Sequence, residues 1–346
     1  MTISKILRLF IAISYSAVKT IYLLSYSFLY FLFHPSLWFR ARLIYPSPPC
    51  LQDPAYGDHS FVTVNNNKLH CVSSGANNAP LLLLLHGFPE FWYSWRFQII
   101  HFKLQYRVVA VDLKGYGESD KPPQQDQYGI DIISSEIIEL VAALGYTSCV
   151  LIGHDWGGAV AWQAVFKRPD LFSKLIILSC PLGRVYFDAI NRDIKTSFKP
   201  WYMLPFQIPW FAENWLSSND YLILKTLLLN PKYGGMLNGD NMSFDDLQAF
   251  LYTFSQPAAF TCPLNYYRRI FKKPRPAVPS ARNRIKVPTL VLFGDSDKFF
   301  SEECKFGYDK YVEQAVVQTI QGSHWLQQDS PGDVNKLIQD FLPGSK

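Results

Sequence analysis

A short turn between a strand-like run and a helix-like run constrains this chain more than any other feature. The apolar residues 149–152 are followed by the sequence GHDWGG at residues 153–158. Glycines two residues before and after a central residue are typical of the nucleophile elbow, a tight strand–turn–helix connection in which bulkier neighbours would clash. The central residue is Asp155. We therefore expect the Asp155 carboxylate to be exposed at the tip of this turn.

A carboxylate in that position indicates chemistry at an sp3 carbon. It attacks amides poorly, but it can displace a leaving group from an alkyl carbon, giving an ester that water then cleaves at the carbonyl of the aspartate. Epoxides and alkyl halides fit this route. A lone aspartate after a strand is otherwise commonly a turn or helix cap. The prediction for Asp155 therefore depends on its flanking glycines and on partners elsewhere in the chain.

Candidate partners follow Asp155 in the order acid, then histidine, which is the chain order expected for this type of site. The strand-like run 291–293 leads into an acidic loop that contains Asp295 and Asp297, and the sequence GSHW at residues 322–325 follows another strand-like run. We predict that His324 activates water and that Asp297 orients it, because an imidazole acts as a base only when its other nitrogen is held. Asp295 is a competing candidate for the orienting residue.

Backbone donors are also needed, because an oxyanion develops when water attacks the ester. The sequence HGFPE at residues 86–90 follows the apolar run 81–85, which suits a buried strand. The elbow architecture places one donor directly after the nucleophile and the other in such a strand-end loop. We predict that the N–H groups of Phe88 and Trp156 form this oxyanion hole.

The motifs HGFPE, GYGESD, GHDWGG, GDSD and GSHW occur in this order. With them the chain resembles the epoxide hydrolase branch of the α/β-hydrolase fold, over residues 59–342. The resemblance implies an epoxide that is opened with help from two tyrosines on a lid. It assigns one of these to Tyr202, which precedes Phe206, and the other to Tyr267 in the sequence LNYYR. A phenol can polarise the epoxide oxygen and protonate the alkoxide.

One position departs from the family pattern. Pro205 stands beside Phe206 where the resemblance leads us to expect an aromatic residue, and a proline there can shift the lid backbone near Tyr202.

Two alternatives to an epoxide hydrolase remain at this point. A haloalkane dehalogenase would share Asp155 and His324, but it needs a second halide donor where Phe88 has none to offer. The second alternative is a hydrolase-like scaffold that binds a lipid or a partner and has no catalytic activity.

The rest of the chain alternates strand and helix patterns. Strand patterns lie at residues 59–64, 68–73, 81–85, 108–112, 149–152, 175–179, 289–293 and 315–320, and helix patterns at 130–144, 157–168 and 332–341. Such alternation predicts an α/β fold with a mostly parallel central sheet. Strand signals stop and aromatic residues crowd between residues 181 and 286, which indicates an inserted helical lid. We divide the chain into a membrane anchor and linker (1–50), the first half of the core (51–180), the lid (181–286) and the second half of the core (287–346).

The N-terminal segment has a different composition. Residues 9–33 contain one charged side chain, Lys19, and residues 1–50 contain no acid. This length suffices to cross a bilayer, and we predict a single-pass transmembrane helix in the endoplasmic reticulum or another endomembrane. A cleaved signal peptide and a buried core helix are the alternatives. Basic residues flank the segment on both sides, so the distribution of positive charge selects no orientation.

Charge and cysteine usage bound the possible partners. The net charge is +5, and residues 1–50 carry five basic residues, so the remainder of the chain is neutral overall. We therefore expect contact with membrane lipid through the N-terminal helix and no nucleic acid as a partner. The six cysteines have no metal-ligand spacing and form no recognisable disulfide framework. The predicted reaction requires a lipophilic epoxide and water, with no cofactor and no metal.

Overall fold

The computed structural model describes residues 3–33, 44–272 and 277–342. An eight-stranded sheet lies at the centre of the described chain, with strand order β1-β2-β4-β3-β5-β6-β7-β8. The strands are β1 (Asp58–Val64), β2 (Asn67–Ser74), β3 (Leu81–Leu85), β4 (Arg107–Val111), β5 (Cys149–His154), β6 (Phe172–Leu178), β7 (Thr289–Gly294) and β8 (Ala315–Ile320). The predicted strands are all present, and their ends lie within three residues of the expected positions.

The sheet is parallel from β4 to β8, and only β1 and β2 run antiparallel to their neighbours. All residues of β3, β5 and β7 are buried, because helices cover both faces of the sheet. The predicted fold class is therefore confirmed: an α/β-hydrolase fold with a mostly parallel sheet.

The helices are α1 (Ile3–Phe33), α2 (Arg96–Phe102), α3 (Ile130–Ala143), α4 (Asp155–Lys167), α5 (Gly183–Arg192), α6 (Phe211–Leu229), α7 (Phe244–Ser255), α8 (Thr261–Arg269), α9 (Leu326–Asp329) and α10 (Pro331–Phe341). The patterns at 130–144, 157–168 and 332–341 correspond to α3, α4 and α10. Helix α4 begins at Asp155, two residues before its predicted start. Sequence reasoning missed α2, a seven-residue helix that is largely buried.

A helical insertion separates β6 from β7. It contains α5 to α8 and a 3-10 segment at Ile194–Met203, and α6 is interrupted by non-helical backbone at residues 218–221. Because the parallel strands β3, β5 and β7 all end on the same edge of the sheet, the loops that follow them meet beneath this insertion. The fold therefore brings residues from four distant sequence regions to one place.

Helix α1 stands apart from the core. Its stretch Phe10–Phe33 is long and apolar enough to cross a membrane, by length and composition. More than half of the side chains in Phe10–Phe33 are exposed to solvent, unlike those of the central strands β3, β5 and β7. After the helix, the Tyr45 backbone N–H donates to Ser255 Oγ of α7 over 3.0 Å.

Candidate active site

The nucleophile elbow is built by close backbone packing. Asp155 has a φ of 48°, a left-handed conformation that is strained for a residue with a side chain. A Cβ atom on Gly157 would lie 2.2 Å from the Leu85 carbonyl oxygen, and one on Gly153 would lie 2.5 Å from the Gly157 carbonyl oxygen. Only glycine fits at these two positions. The flanking glycines of the motif therefore hold Asp155 at the junction of β5 and α4.

The two oxygens of the Asp155 carboxylate have different neighbours, and Oδ1 lies against the loop after β3. Its Oδ1 accepts a hydrogen bond from the Phe88 N–H over 3.0 Å. A Cβ atom on Gly87 would lie 2.4 Å from the Asp155 Cβ, so a glycine is needed for this approach. The Trp156 N–H lies in the first turn of α4, where backbone N–H groups have no intrahelical acceptor. Both predicted oxyanion residues thus lie next to the predicted nucleophile.

His324 lies between two carboxylates. Its Nδ1 is 2.9 Å from Asp297 Oδ2, and its Nε2 is 3.6 Å from Asp155 Oδ2. The first distance is a hydrogen bond, whereas the second is longer than one. The other oxygen of Asp297 accepts the N–H groups of Phe299 and Phe300 over 2.7 and 3.0 Å. Asp297 is therefore a rigidly held acceptor for one imidazole nitrogen, and the other nitrogen faces Asp155.

Asp295, the competing acid, is engaged elsewhere. Its Oδ1 accepts the Gly322 N–H over 3.2 Å at the start of the loop that carries His324. Asp295 and Asp297 follow β7 two residues apart, but the turn directs them to different partners. The geometry places Asp297 against the imidazole and Asp295 against the backbone.

The charges of these three residues depend on one another. Burial alone would lower the pKa of His324, but Asp297 and Asp155 outweigh burial and raise it to about 10. Burial alone would raise the pKa values of Asp155 and Asp297, but His324 outweighs burial and holds both below their usual range. The arrangement stabilises a protonated imidazole between two ionised carboxylates. Neutralising either carboxylate would make the imidazole lose its proton more readily.

The two predicted lid tyrosines lie next to each other. The ring centroids of Tyr202 and Tyr267 are 6.2 Å apart, and the Tyr267 ring stands edge-to-face on Trp156 at 4.8 Å. Tyr202 also contacts Phe206 and Phe299, at 5.5 and 5.9 Å. Pro205 is the first residue of a separate 3-10 turn, Pro205–Gln207, and it does not move Tyr202 away from Tyr267. The structure therefore brings both predicted phenols together above the elbow.

Both phenols remain protonated at neutral pH. Burial raises the pKa values of Tyr202 and Tyr267 well above the usual range, and the negative charge of Asp155 raises both further. The neighbouring Tyr266 is different, because its hydroxyl donates to the Lys114 carbonyl over 2.8 Å. Tyr202 and Tyr267 are the phenols that sense the Asp155 charge most directly among these three.

Comparisons with known proteins point to one family. Residues 80–222 match the family described as the α/β-hydrolase fold. Epoxide hydrolase 4 of Homo sapiens is 43% identical over 312 residues, which cover 89% of this chain and 85% of that protein. Epoxide hydrolase 3 of Xenopus tropicalis is 38% identical over 300 residues, which cover 86% of this chain and 81% of that protein.

The chain belongs to the epoxide hydrolase family. Among solved structures, an epoxide hydrolase from Bacillus megaterium in complex with an inhibitor is similar, with a TM-score of 0.74 and 28% identity. The similar region covers 82% of this chain and 100% of that one. A Vigna radiata epoxide hydrolase has a TM-score of 0.66 and 29% identity, with 82% and 97% coverage. The resemblance read from the motifs is thereby confirmed, and these relatives favour an epoxide hydrolase over the dehalogenase alternative.

Sequence reasoning did not assign a role to two buried residues of this epoxide hydrolase family member. His154 Nδ1 is 2.6 Å from Glu90 Oε2, and its Nε2 donates to the His324 carbonyl over 2.9 Å. The same Glu90 oxygen accepts the Gly87 N–H over 2.9 Å. This pair joins the loop of the predicted oxyanion hole to the loop of the predicted base. The available signal was their position inside the motifs HGFPE and GHDWGG.

A further residue links the two lid tyrosines. Gln207 Nε2 donates to the Met203 carbonyl over 2.9 Å and to the Tyr267 carbonyl over 3.2 Å. Met203 follows Tyr202 directly, so one amide group connects the backbone segments that carry both phenols. Sequence reasoning assigned no role to Gln207, because such a bridge depends on the packing of two distant segments.

Replacing Asp155 with asparagine should lower the pKa of His324 clearly from its value of about 10. The substitution removes one of the two negative charges that favour the imidazolium and preserves the size of the side chain. A pH titration of ¹⁵N-labelled histidine by NMR measures this shift, with the His324 signal assigned by its loss in a His324→Gln sample. An unchanged pKa would mean that the Asp155 charge does not act on this ring.

Proposed function

We propose that the chain converts an epoxide into a vicinal diol through a covalent ester on Asp155. The observation that carries this proposal is that the two oxygens of the Asp155 carboxylate have different partners. Oδ1 is held by the Phe88 N–H, whereas Oδ2 faces His324. The phenols of Tyr202 and Tyr267 lie above the elbow, under the electrostatic influence of Asp155. A nucleophile, its base and two acids thus share one buried site.

In the first step, an Asp155 carboxylate oxygen attacks an epoxide carbon. The carbon–oxygen bond of the ring breaks, and the ring oxygen leaves with the electron pair and takes a proton from Tyr267 or Tyr202. Their raised pKa values keep these phenols protonated until the alkoxide develops. The products of this step are a hydroxyalkyl ester of Asp155 and a phenolate.

In the second step, water attacks the ester carbonyl. Ester formation removes the negative charge of Asp155, so the pKa of His324 falls and the imidazole loses its proton, which restores the phenol. Neutral His324 then takes a proton from water while Asp297 holds its other nitrogen. The Phe88 and Trp156 N–H groups stabilise the oxyanion. The intermediate collapses with cleavage of the bond between the acyl carbon and the diol oxygen, and that oxygen takes a proton from the His324 imidazolium. The carboxylic acid left on Asp155 then passes its proton to His324, which regenerates the ionised carboxylate and the protonated imidazole.

A single turnover in heavy-oxygen water tests the covalent route. The oxygen that enters the diol should come from Asp155, so the diol of the first turnover should be mostly unlabelled and the label should appear on Asp155. Mass spectrometry of the diol and of the peptide that contains Asp155 measures both. Label in the first-turnover diol would show that water attacks the epoxide directly, and the assignment of Asp155 as the nucleophile would be wrong.

The surroundings of the site support a lipophilic substrate. The ring of Phe88 packs edge-to-face against Phe206 and Tyr267 at 5.9 and 5.4 Å, and Phe299 lies 4.7 Å from the His324 ring. Aromatic walls favour an apolar substrate chain, with a few polar groups to fix the reacting atoms. We propose a lipophilic epoxide as the substrate class, with epoxides of unsaturated fatty acids as one example.

We also propose that α1 attaches the enzyme to a membrane, with the endoplasmic reticulum or another endomembrane as the location. The support is the length and apolar composition of Phe10–Phe33. The four units outlined from the sequence remain our proposed division of the chain. In that division the anchor and linker precede the first half of the core, and the lid separates the two core halves.

A further inference from the structure

Helix α1 packs against the lid through one of its faces. Arg8 Nη1 donates to the carbonyl oxygens of Ile190 and Asn191, over 3.2 and 2.8 Å. Further along, the Tyr15 ring lies 4.6 Å from Phe198, and the Lys19 ammonium lies 5.9 Å from the centre of the Trp201 ring. Residues 8, 15 and 19 fall on one side of a helix, because their spacings of seven and four approximate two turns and one turn. The partners belong to α5 and to the segment Ile194–Met203.

This docking leaves too little free helix to cross a bilayer. From Arg8 to Lys19 the helix rises about 16 Å along the lid, at about 1.5 Å per residue. The remaining part, from Lys19 to Phe33, is about 21 Å long, whereas the hydrocarbon core is about 30 Å thick. Beyond the end of α1, the Tyr45 hydroxyl donates to Asp220 Oδ1 over 2.5 Å. Segments before and after the apolar stretch thus both contact the catalytic unit.

The two basic side chains of the docked part are paired with protein groups. Arg8 meets carbonyl oxygens in the last turn of α5, where the helix dipole favours a cation. Lys19 lies near the faces of two aromatic rings, Trp201 and Tyr15. A lysine or arginine surrounded by lipid tails costs several kcal/mol. The lid therefore supplies the partners that a spanning orientation would remove.

The opposite face of α1 is apolar and exposed. Phe10, Ile21 and Phe28 lie about half a turn away from Arg8 and Lys19, and their exposed fractions are 68%, 62% and 60%. Besides Arg8 and Lys19, residues 1–50 contain three basic residues and no acid, which complements an anionic lipid surface. An apolar face with basic residues at its side is typical of a helix that lies in a membrane interface.

We infer that α1 lies in the plane of the membrane surface, clamped to the lid by Arg8 and Lys19, with both of its ends on the same side as the catalytic unit. The exposed apolar face of α1 contacts the lipid bilayer. The segment Ile194–Met203 also carries Tyr202, so this orientation holds the roof of the site at the lipid surface. The inference rests on the proposed membrane attachment and not on the proposed reaction.

Protease digestion of sealed vesicles tests the orientation. The full chain, with one epitope tag at each terminus, is made in the presence of microsomal vesicles and treated with protease. An in-plane helix leaves both tags on one side, so they should be digested together or protected together. Digestion of one tag with protection of the other would overturn the inference. A chain that does not float with the vesicles would contradict membrane attachment itself, and with it the in-plane helix, while the reaction would still be measured separately.

A double variant tests the clamp. Arg8→Leu with Lys19→Leu removes the contacts with the lid and both charges, so a majority of chains should separate the two tags across the membrane. The matched control, Tyr22→Leu with Ser25→Leu, changes two exposed positions of α1 and keeps Arg8 and Lys19. Both tags should stay together in the control. A clamp variant that behaves like the wild type, or a control that separates the tags as often, would overturn the role of Arg8 and Lys19.

Discussion

Replacing His324 with glutamine should reduce steady-state turnover by about 10³-fold or more while an ester on Asp155 accumulates. The nucleophile does not need the imidazole to attack the epoxide, because its Oδ1 is still held by the Phe88 N–H. Hydrolysis of the ester does need a base. Mass spectrometry of the peptide that contains Asp155 should therefore show an increase equal to the mass of the epoxide.

His101→Gln is the matched control for this substitution. His101 is exposed on α2, where its Nε2 lies 3.1 Å from Gln339 Oε1, and it takes no part in the site. The control should turn over at the rate of the wild type, without an adduct. In His324→Gln, the carboxylate of Asp297 keeps its two backbone donors, so the loop should retain its structure. Lost turnover without an adduct, in a folded variant, would argue against His324 as the base.

Replacing Tyr267 with phenylalanine should slow ester formation by about 10²-fold or more, because the alkoxide loses a proton donor. Tyr202→Phe should act on the same step. The double variant should cost less than the product of the two single effects, because the phenols act together on one oxygen. Single-turnover kinetics of ester formation measures all three, and hydrolysis of a preformed ester should change much less.

Tyr266→Phe is the control within the same helix. Its hydroxyl is committed to the Lys114 carbonyl, so its loss should lower stability by about 1 kcal/mol and leave ester formation nearly unchanged. An effect confined to Tyr267 would mean that Tyr202 does not contact the epoxide oxygen. If neither substitution had an effect and alkyl halides were cleaved, the dehalogenase alternative would be the correct one.

Some features of the fold were predictable because their physical causes are local. Gly153 and Gly157 are required by close backbone contacts with neighbouring residues and with β3, so the motif itself indicates an elbow. The strands β3, β5 and β7 each contain a run of four or more apolar residues, as expected for strands that are buried on both faces. The lid was predictable only as a region without strand signals, because its helices contain aromatic and irregular segments whose faces are set by packing.

In the site, too, the local sequence does not show which side chains contact one another. The acidic loop contains two aspartates, and nothing in its composition selects Asp297 over Asp295 as the partner of His324. The turn after β7 decides this, because it directs one carboxylate to the imidazole and the other to the Gly322 N–H. The buried pair of Glu90 and His154 likewise joins the loop after β3 to the last residue of β5, and its contacts extend to the loop after β8.

By itself, the sequence determined the α/β-hydrolase fold, the elbow at Asp155 and the family, because these depend on glycine spacing, on apolar periodicity and on motif order. Only the tertiary structure decided which side chains face one another. It put Asp297 rather than Asp295 at His324, brought Tyr202 beside Tyr267 despite Pro205, and laid α1 along the lid. The physical reason is that side-chain direction depends on backbone angles and on contacts between segments that lie far apart in the chain, and neither is encoded in a short motif.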